Sequence, residues 1–197
     1  MSDLVQPIIV RVDENATHED AVLAAATASV RAWQADRGHP AWNEWLSGAF
    51  TKVARRAKPA VFEALADGFV EHGTGQAVAY PPMLPAELPK NISKLQVAGT
   101  DLPRAGSSLD LTADAVIVVN AGLDMTTGKT SAQAAHALFA LSLHHPCWSF
   151  KRAELLEVPA SEFAVMLESK PFIVPIVDAG RTETEPGTTT CFAYRRA

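Results

Sequence analysis

The sequence predicts an α/β protein built from two related halves, on two observations. First, residues 7–33 and 115–143 share one pattern, a short apolar β-branched run, a polar loop and an alanine-rich amphipathic helix. Strand, loop and helix in this order open a parallel α/β unit. Second, comparable elements follow each unit in the same order. A duplication explains both observations; the alternative is that any two α/β segments share such a pattern.

The remaining elements are predicted in chain order from local patterns. The continuous apolar run 115–119 suits a strand buried on both faces. Residues 98–114 are rich in Gly, Ser, Asp and Pro and are the predicted linker, which divides the chain into halves 1–110 and 111–197. Further elements are predicted as a helix at 42–65, strands at 76–80 and 92–97, a strand at 152–158, a helix at 159–169, and strands at 171–177 and 189–194.

Composition narrows the class of protein. A net charge of -5 argues against a protein that coats nucleic acid through bulk charge. One basic run at residues 52–58 is the exception, where Arg55 and Arg56 could contact phosphates or simply form a solvated helix face. Two distant cysteines predict neither a disulfide framework nor a zinc site. With no apolar run long enough to span a bilayer and no secretion signal, a soluble cytoplasmic protein is expected.

Three polar side chains share one face of the second alanine-rich helix. Lys129, Gln133 and His136 are spaced i, i+4 and i+7, within an arc of about 60°. Thr126 and Thr127 precede Gly128, and a threonine at this point is the expected N-cap. A helix N-terminus with a lysine is a natural site for a phosphate or a developing oxyanion. The alternative is a solvated lysine in an ordinary first turn.

A second polar group follows the predicted strand at 171–177. Asp178 ends this strand, and Gly180 permits a sharp turn from which Arg181 and Thr182 project. Ligands gather at the carboxyl ends of strands in open α/β sheets. The alternative is a β-turn with Asp and Gly in their usual roles.

Together the stretches MTTGKTSAQAAHA (125–137) and DAGRTETEPGTTTCFAY (178–194) resemble the type 2 peptidyl-tRNA hydrolase family. The resemblance implies a three-layer α/β/α sandwich with a mixed four-stranded sheet. It also implies hydrolysis of the ester between a peptide and its tRNA, with no metal or organic cofactor. Because family members are often homodimers, the first half is expected to act either as a built-in partner or within a homodimer.

The resemblance also implies site residues. Catalytic roles fall to Lys129, His136, Asp178 and Thr182. Substrate binding falls to Gly128, Gln133, Arg181 and Thr188, with Arg55 and Arg56 added from the basic run. Asp178 would orient or activate water, directly or through a hydroxyl such as that of Thr182. Lys129 would stabilise an oxyanion or hold a phosphate, and His136 would either exchange protons or simply hydrogen-bond the loop.

Two features depart from the family pattern. Thr127 stands where the family has its first loop lysine, and a short connection at 144–150 replaces a helix, whose covering role the helix at 42–65 is expected to take. The first half lacks the chemistry, because the positions matching the catalytic helix fall among Asp20, Ala21 and residues 24–28. A non-catalytic RNA- or protein-binding module on a degenerate hydrolase fold is therefore the alternative. Trp33, Trp42 and Trp45 are expected in the core.

Overall fold

A computed structural model describes residues 3–65, 68–106, 110–170, 173–180 and 183–196. The strands are β1 Val5–Arg11, β2 Thr51–Ala57, β3 Val70–His72, β4 Gly75–Ala79, β5 Ala115–Asn120, β6 Ala153–Val158, β7 Ile176–Val177 and β8 Thr189–Arg195. The helices are α1 His18–Ala35, α2 Pro40–Leu46, α3 Pro59–Glu63, α4 Lys90–Ser93, α5 Thr127–His144 and α6 Ala160–Ser169.

The strands form two four-stranded mixed sheets, ordered β2-β1-β4-β3 and β6-β5-β8-β7. In the first sheet β1 is parallel to β2 and antiparallel to β4, and β3 is antiparallel to β4. In the second sheet β5 is parallel to β6 and antiparallel to β8, and β7 is antiparallel to β8. The α/β class is therefore confirmed, with two mixed sheets where a single one was expected, and both sheets have the same order and strand directions.

The two long helices lie between the sheets. Helix α1 packs on α5, and each also touches the other half, α1 at β6 and α5 at β2. Alanines at this contact, such as Ala24, Ala28 and Ala135, are fully or almost fully buried, so the helix backbones approach closely. The opposite face of the first sheet is covered around Phe62 and Ile92, and that of the second around Phe163 of α6.

An aromatic cluster joins the halves, and the expected core position of the three tryptophans is confirmed. Phe139 of α5 lies 5.3 Å from the Trp33 ring, 6.0 Å from Trp42 and 5.4 Å from Trp45, measured between centroids. All four side chains belong to one buried cluster, which also contains residues of β5 and β8. Much of the core is thus shared between the two sheets.

The predicted helix at 42–65 is wrong. The segment forms the short helix α2, the strand β2 and the single turn of α3. Strand β2 pairs in parallel with β1 over its whole length, so hydrogen bonds to a distant segment outweigh local helix preference. The strand predicted at 92–97 is also wrong, because α4 ends at Ser93 and one bridge, Arg56 to Gln96, follows. Only Ile176–Val177 of the predicted 171–177 strand is β-structure among its described residues.

The linker between the sheets is fixed by side chains from both halves. Arg104 donates to both carboxylate oxygens of Glu157 at 2.8 Å and to the Met125 carbonyl at 2.9 Å. The Glu19 carboxylate accepts from the backbone N–H groups of Ala105 and Gly106. Within the described ranges, no helix is both long and apolar enough to cross a membrane.

Candidate active site

One cavity has a volume of about 750 Å³ and is lined by both halves. Helix α5 contributes Gly128, Lys129, Gln133 and His136, and the end of β7 contributes Asp178. The facing wall comes from residues 49–54, which run into β2, and from Val97 and Ala98 of the linker. Three of the four predicted catalytic side chains, those of Lys129, His136 and Asp178, therefore line one cavity.

Asp178 is held by a set of hydrogen bonds. Its Oδ2 accepts from Lys129 Nζ and from Gln133 Nε2, and its Oδ1 accepts from the Gly180 N–H at 2.7 Å. Gln133 is itself oriented, because its Oε1 accepts from the Thr190 hydroxyl at 2.9 Å. The residue is 7% exposed, so the carboxylate is nearly buried and still faces the cavity. This arrangement fixes one ionised carboxylate against one ammonium group.

The surroundings set the charges of two groups. Burial alone would raise the pKa of Asp178, but the hydrogen bonds from Lys129 and the Gly180 amide outweigh it and lower that pKa below its ordinary value. Burial, with smaller contributions from the charges of Lys52 and Lys129, holds the pKa of His136 well below its ordinary value. At pH 7 the site therefore contains a carboxylate and a neutral imidazole.

The N-terminus of α5 is built as expected. Thr126 is the N-cap, and its hydroxyl accepts from the Lys129 N–H at 3.4 Å. Gly128 donates its N–H to the Thr100 carbonyl at 2.9 Å, and a Cβ at Gly128 would lie 3.3 Å from Thr100 Cβ. A side chain at this position would crowd the linker, so Gly128 lets residues 97–100 form one edge of the cavity.

Other predicted residues lie elsewhere. Arg181 and Thr182 fall outside the described residues. Thr188 contributes through its backbone, since its carbonyl accepts from the Asp178 N–H at 2.8 Å. Thr127 is fully buried, where its hydroxyl contacts His18 Nδ1 at 3.0 Å and accepts from the Leu102 N–H. The family's first loop lysine would therefore have no room at this position.

The two arginines of the basic run do not line this cavity. Both lie on β2, with their guanidinium groups on backbone carbonyls of residues 93–99. Arg55 donates to the Leu95 carbonyl at 2.9 Å, and Arg56 donates to the Gly99 carbonyl at 2.8 Å. The expected helix face is thus a strand, and these hydrogen bonds hold the segment before the linker against the first sheet.

Four residues at the site were not predicted. Thr190 orients Gln133, and Glu183 accepts from the Thr126 N–H and hydroxyl at 2.9 and 2.6 Å. Phe50 and Lys52 come from the first half, and the Phe50 ring lies 5.0 Å from the ring of His136. Alternation along β8 from the buried Cys191 would have indicated Thr189 instead of Thr190, because the register with β7 shifts at this point, and no local signal pairs Phe50 with His136.

Lys52 is a buried lysine beside helix α5. Its Nζ donates to Gln6 Oε1 at 2.7 Å and to Ser29 Oγ at 2.9 Å. The ammonium also lies 4.1 to 4.7 Å from the ring centroids of Trp45, Phe50 and Phe139. Burial lowers the pKa of Lys52 well below its ordinary value. Because the Lys52 ammonium is already hydrogen-bonded and packed against aromatic rings, this lysine suits a structural role within the core.

No three His, Cys, Asp or Glu side chains of the described residues are grouped so that they could hold a metal ion. Comparison of the chain with protein-family models, with curated proteins and with solved structures found no match.

Replacing Thr190 with Val should reduce the ester hydrolysis that the family resemblance implies by about 5- to 10-fold, because one neutral hydrogen bond that orients Gln133 is worth about 1 kcal/mol. The matched control is Thr189→Val, one residue earlier on β8, which should stay within about twofold of wild type. Steady-state kinetics of the two variants compare them directly. Equal activity of Thr190→Val and wild type would show that Gln133 needs no such support.

Stability should fall with acidification through His136. Its folded pKa lies below the unfolded value near 6.5, so below that pH the unfolded chain binds a proton that the folded protein does not. The free energy of unfolding is therefore unaffected by this group above about pH 6.5, and it decreases as the pH falls from there towards the folded pKa. In His136→Gln this decrease should be absent, so below about pH 6.5 the variant should lose up to about 1.4 kcal/mol less free energy of unfolding per pH unit than wild type. Urea unfolding at about pH 7.5 and 5.5 measures it, and identical pH dependence in both proteins would contradict it.

Proposed function

We propose that the cavity of Lys129, His136 and Asp178 is the active site of a carboxylic ester hydrolase. The observation that carries the proposal is the hydrogen-bonded set of Lys129, Gln133 and Asp178 beside a neutral imidazole in an open cavity. A fixed ammonium at a helix N-terminus suits a developing oxyanion. A neutral imidazole can take a proton from water and return it, although its lowered pKa makes it a weaker base than a free histidine.

The particular reaction proposed is hydrolysis of the ester between a peptide and the 3′ ribose of its tRNA. Its support is the resemblance of residues 125–137 and 178–194 to type 2 peptidyl-tRNA hydrolases. Asp178 contacts Lys129 and Gln133, which that resemblance also names, although 49 and 45 residues separate it from them in the chain. A coincidental match to the two motifs would not require this contact.

The roles follow from charge and position. His136 accepts a proton from the attacking water and returns it to the ribose oxygen as the ester bond breaks. Lys129, together with the N-terminus of α5, stabilises the oxyanion. Asp178 is a weak base because its pKa is lowered, so its role is to hold Lys129 in place and to hydrogen-bond the incoming water.

The first half is proposed to act as a built-in partner subunit, descended with the second half from a duplication. The matching order and directions of the two sheets support this proposal. Helices α1 and α5 have the same length, and their first residues, His18 and Thr127, are hydrogen-bonded to each other. By position along the helix, Asp20, Ala24 and Thr27 then replace Lys129, Gln133 and His136, so the first half carries no copy of the site.

The alternative is a non-catalytic RNA- or protein-binding module. Two observations bear on it. Thr127 is buried where a loop lysine would contact RNA, and the guanidinium groups of Arg55 and Arg56 are hydrogen-bonded to backbone carbonyls. Both weaken RNA binding, and neither affects the hydrolytic groups.

Incubation with an N-blocked aminoacyl-tRNA in water enriched in ¹⁸O tests the hydrolase. We expect a blocked amino acid with one ¹⁸O in its new carboxyl group and a tRNA that can be aminoacylated again. Persistence of the ester at its spontaneous rate, with folded protein confirmed by circular dichroism, would reject the reaction for this substrate. Binding of the tRNA without cleavage would favour the alternative module.

A further inference from the structure

We propose that the first half of the chain supplies an apolar subsite of this cavity, which binds an apolar side chain on the acyl part of the substrate. The inference rests on the proposed hydrolase and names the acyl class that it would prefer. It assigns a part in substrate recognition to residues 1–110, where no catalytic group was found.

The cavity lining combines a polar set with apolar side chains. Lys129, Gln133, His136 and Asp178 form the polar set. Small and apolar side chains of both halves make up much of the remaining lining: Ala49, Phe50, Val53, Ala54, Val97, Ala98, Ile176 and Val177. Two of these, Val97 and Val177, are 45% and 56% exposed, so the cavity presents large apolar groups to solvent.

Phe50 gives a second, independent observation. Its φ of 54° lies in the left-handed region, which a bulky side chain rarely adopts. This conformation precedes β2 directly and places the ring 5.0 Å from His136 and 4.5 Å from Trp45, where it also lines the cavity. Backbone strain of this kind concentrates at functional sites, where the surrounding structure maintains it.

The chemistry of the ester decides which part of the substrate contacts the apolar side chains of the cavity. With the carbonyl at Lys129 and His136, one side of the ester carries ribose and phosphates and the other carries the amino-acid side chain. The described apolar wall offers phosphates one cation, Lys52, whose ammonium is already bound by Gln6, Ser29 and aromatic rings. An aliphatic or aromatic side chain suits this wall, because its burial is favourable in proportion to the apolar area removed from water.

Binding of two uncharged amides tests the subsite without turnover. We expect N-acetyl-leucinamide to bind the full chain at least about 10-fold more tightly than N-acetylglycinamide, since one side chain in an apolar pocket contributes at least this much. Val97→Asp should remove the preference by placing a charge in the wall. Val165→Asp, at a 65% exposed position on α6, is the matched control and should retain it. Titrations followed by NMR measure all three proteins.

Each outcome has a defined meaning. Equal binding of the two amides, or no binding of either, overturns the subsite. A preference that survives Val97→Asp places the bound side chain elsewhere and overturns it as well. A parallel comparison of N-acetyl-leucyl-tRNA with N-acetyl-glycyl-tRNA separates the two proposals. Cleavage of both esters at the same rate, with no amide preference, rejects the subsite and keeps the hydrolase. Amide preference lost in Val97→Asp, without cleavage of either ester, keeps the subsite and rejects the hydrolase for this substrate.

Discussion

Replacing Asp178 with Asn should lower kcat for ester hydrolysis by about 1,000-fold or more. The amide cannot pair electrostatically with Lys129, so the ammonium that stabilises the oxyanion is no longer fixed in position. The amide also has one acceptor oxygen where the carboxylate has two, so it cannot accept both of the hydrogen bonds that Gln133 and Gly180 now donate. A single electrostatic group of this kind commonly contributes 100- to 1,000-fold, and Asp178 supports two such interactions.

The matched control is Asp20→Asn. Asp20 occupies in α1 the helix position of Lys129 in α5, and it pairs with His72 at 3.3 Å. The substitution removes a carboxylate that contacts His72 and accepts hydrogen bonds from Thr74 in the other half, so activity should stay within about threefold of wild type. Steady-state kinetics with thermal melts compare the variants. Equal losses in both would mean that the effect is one of stability and that Asp178 has no special role.

Replacing Phe139 with Ala should destabilise the protein by about 3–5 kcal/mol, which is typical for a large aromatic side chain removed from a core. Phe139 belongs to the second half, but four rings that it contacts belong to the first: Trp33, Trp42, Trp45 and Phe50. Because one cluster stabilises both sheets, we expect a single unfolding transition shifted as a whole.

Phe69→Ala is the control for this substitution. Phe69 is 44% exposed, so the change should cost less than about 1 kcal/mol. Urea unfolding followed by tryptophan fluorescence and by circular dichroism reports both halves. Two separate transitions, of which Phe139→Ala shifts only one, would contradict the shared core.

Local sequence pattern predicted the parts of the fold that depend on local interactions. The strand and helix of residues 7–33 and 115–143 follow from apolar period and from caps such as Thr126, and β1, α1, β5 and α5 form there. The segment 42–65 was predicted as one helix, in which the three-residue spacing of Trp42 and Trp45 fits a single buried stripe. That spacing is real in α2, but β2 then forms by pairing with β1, a partner that no local pattern identifies.

The residues of the site were likewise predicted only in part. Lys129, Gln133 and Asp178 were found because each lies in a motif, and their contact needs only the packing of α5 against its own sheet. Phe50 and Lys52 were missed because they reach the site through packing of α5 against β2 of the other half. A buried lysine is also not expected from its residue type, and only the tertiary structure reveals its partners.

The central claim, that this cavity hydrolyses the ester of peptidyl-tRNA, is tested most directly by one rate. Excess wild-type protein is mixed with a labelled N-blocked aminoacyl-tRNA, and the single-turnover rate of release is compared with the spontaneous rate and with Asp178→Asn. We predict release far above the spontaneous rate for wild type and close to it for the variant. Release no faster than the spontaneous rate by folded wild type, or equal release by the folded variant, would contradict the claim.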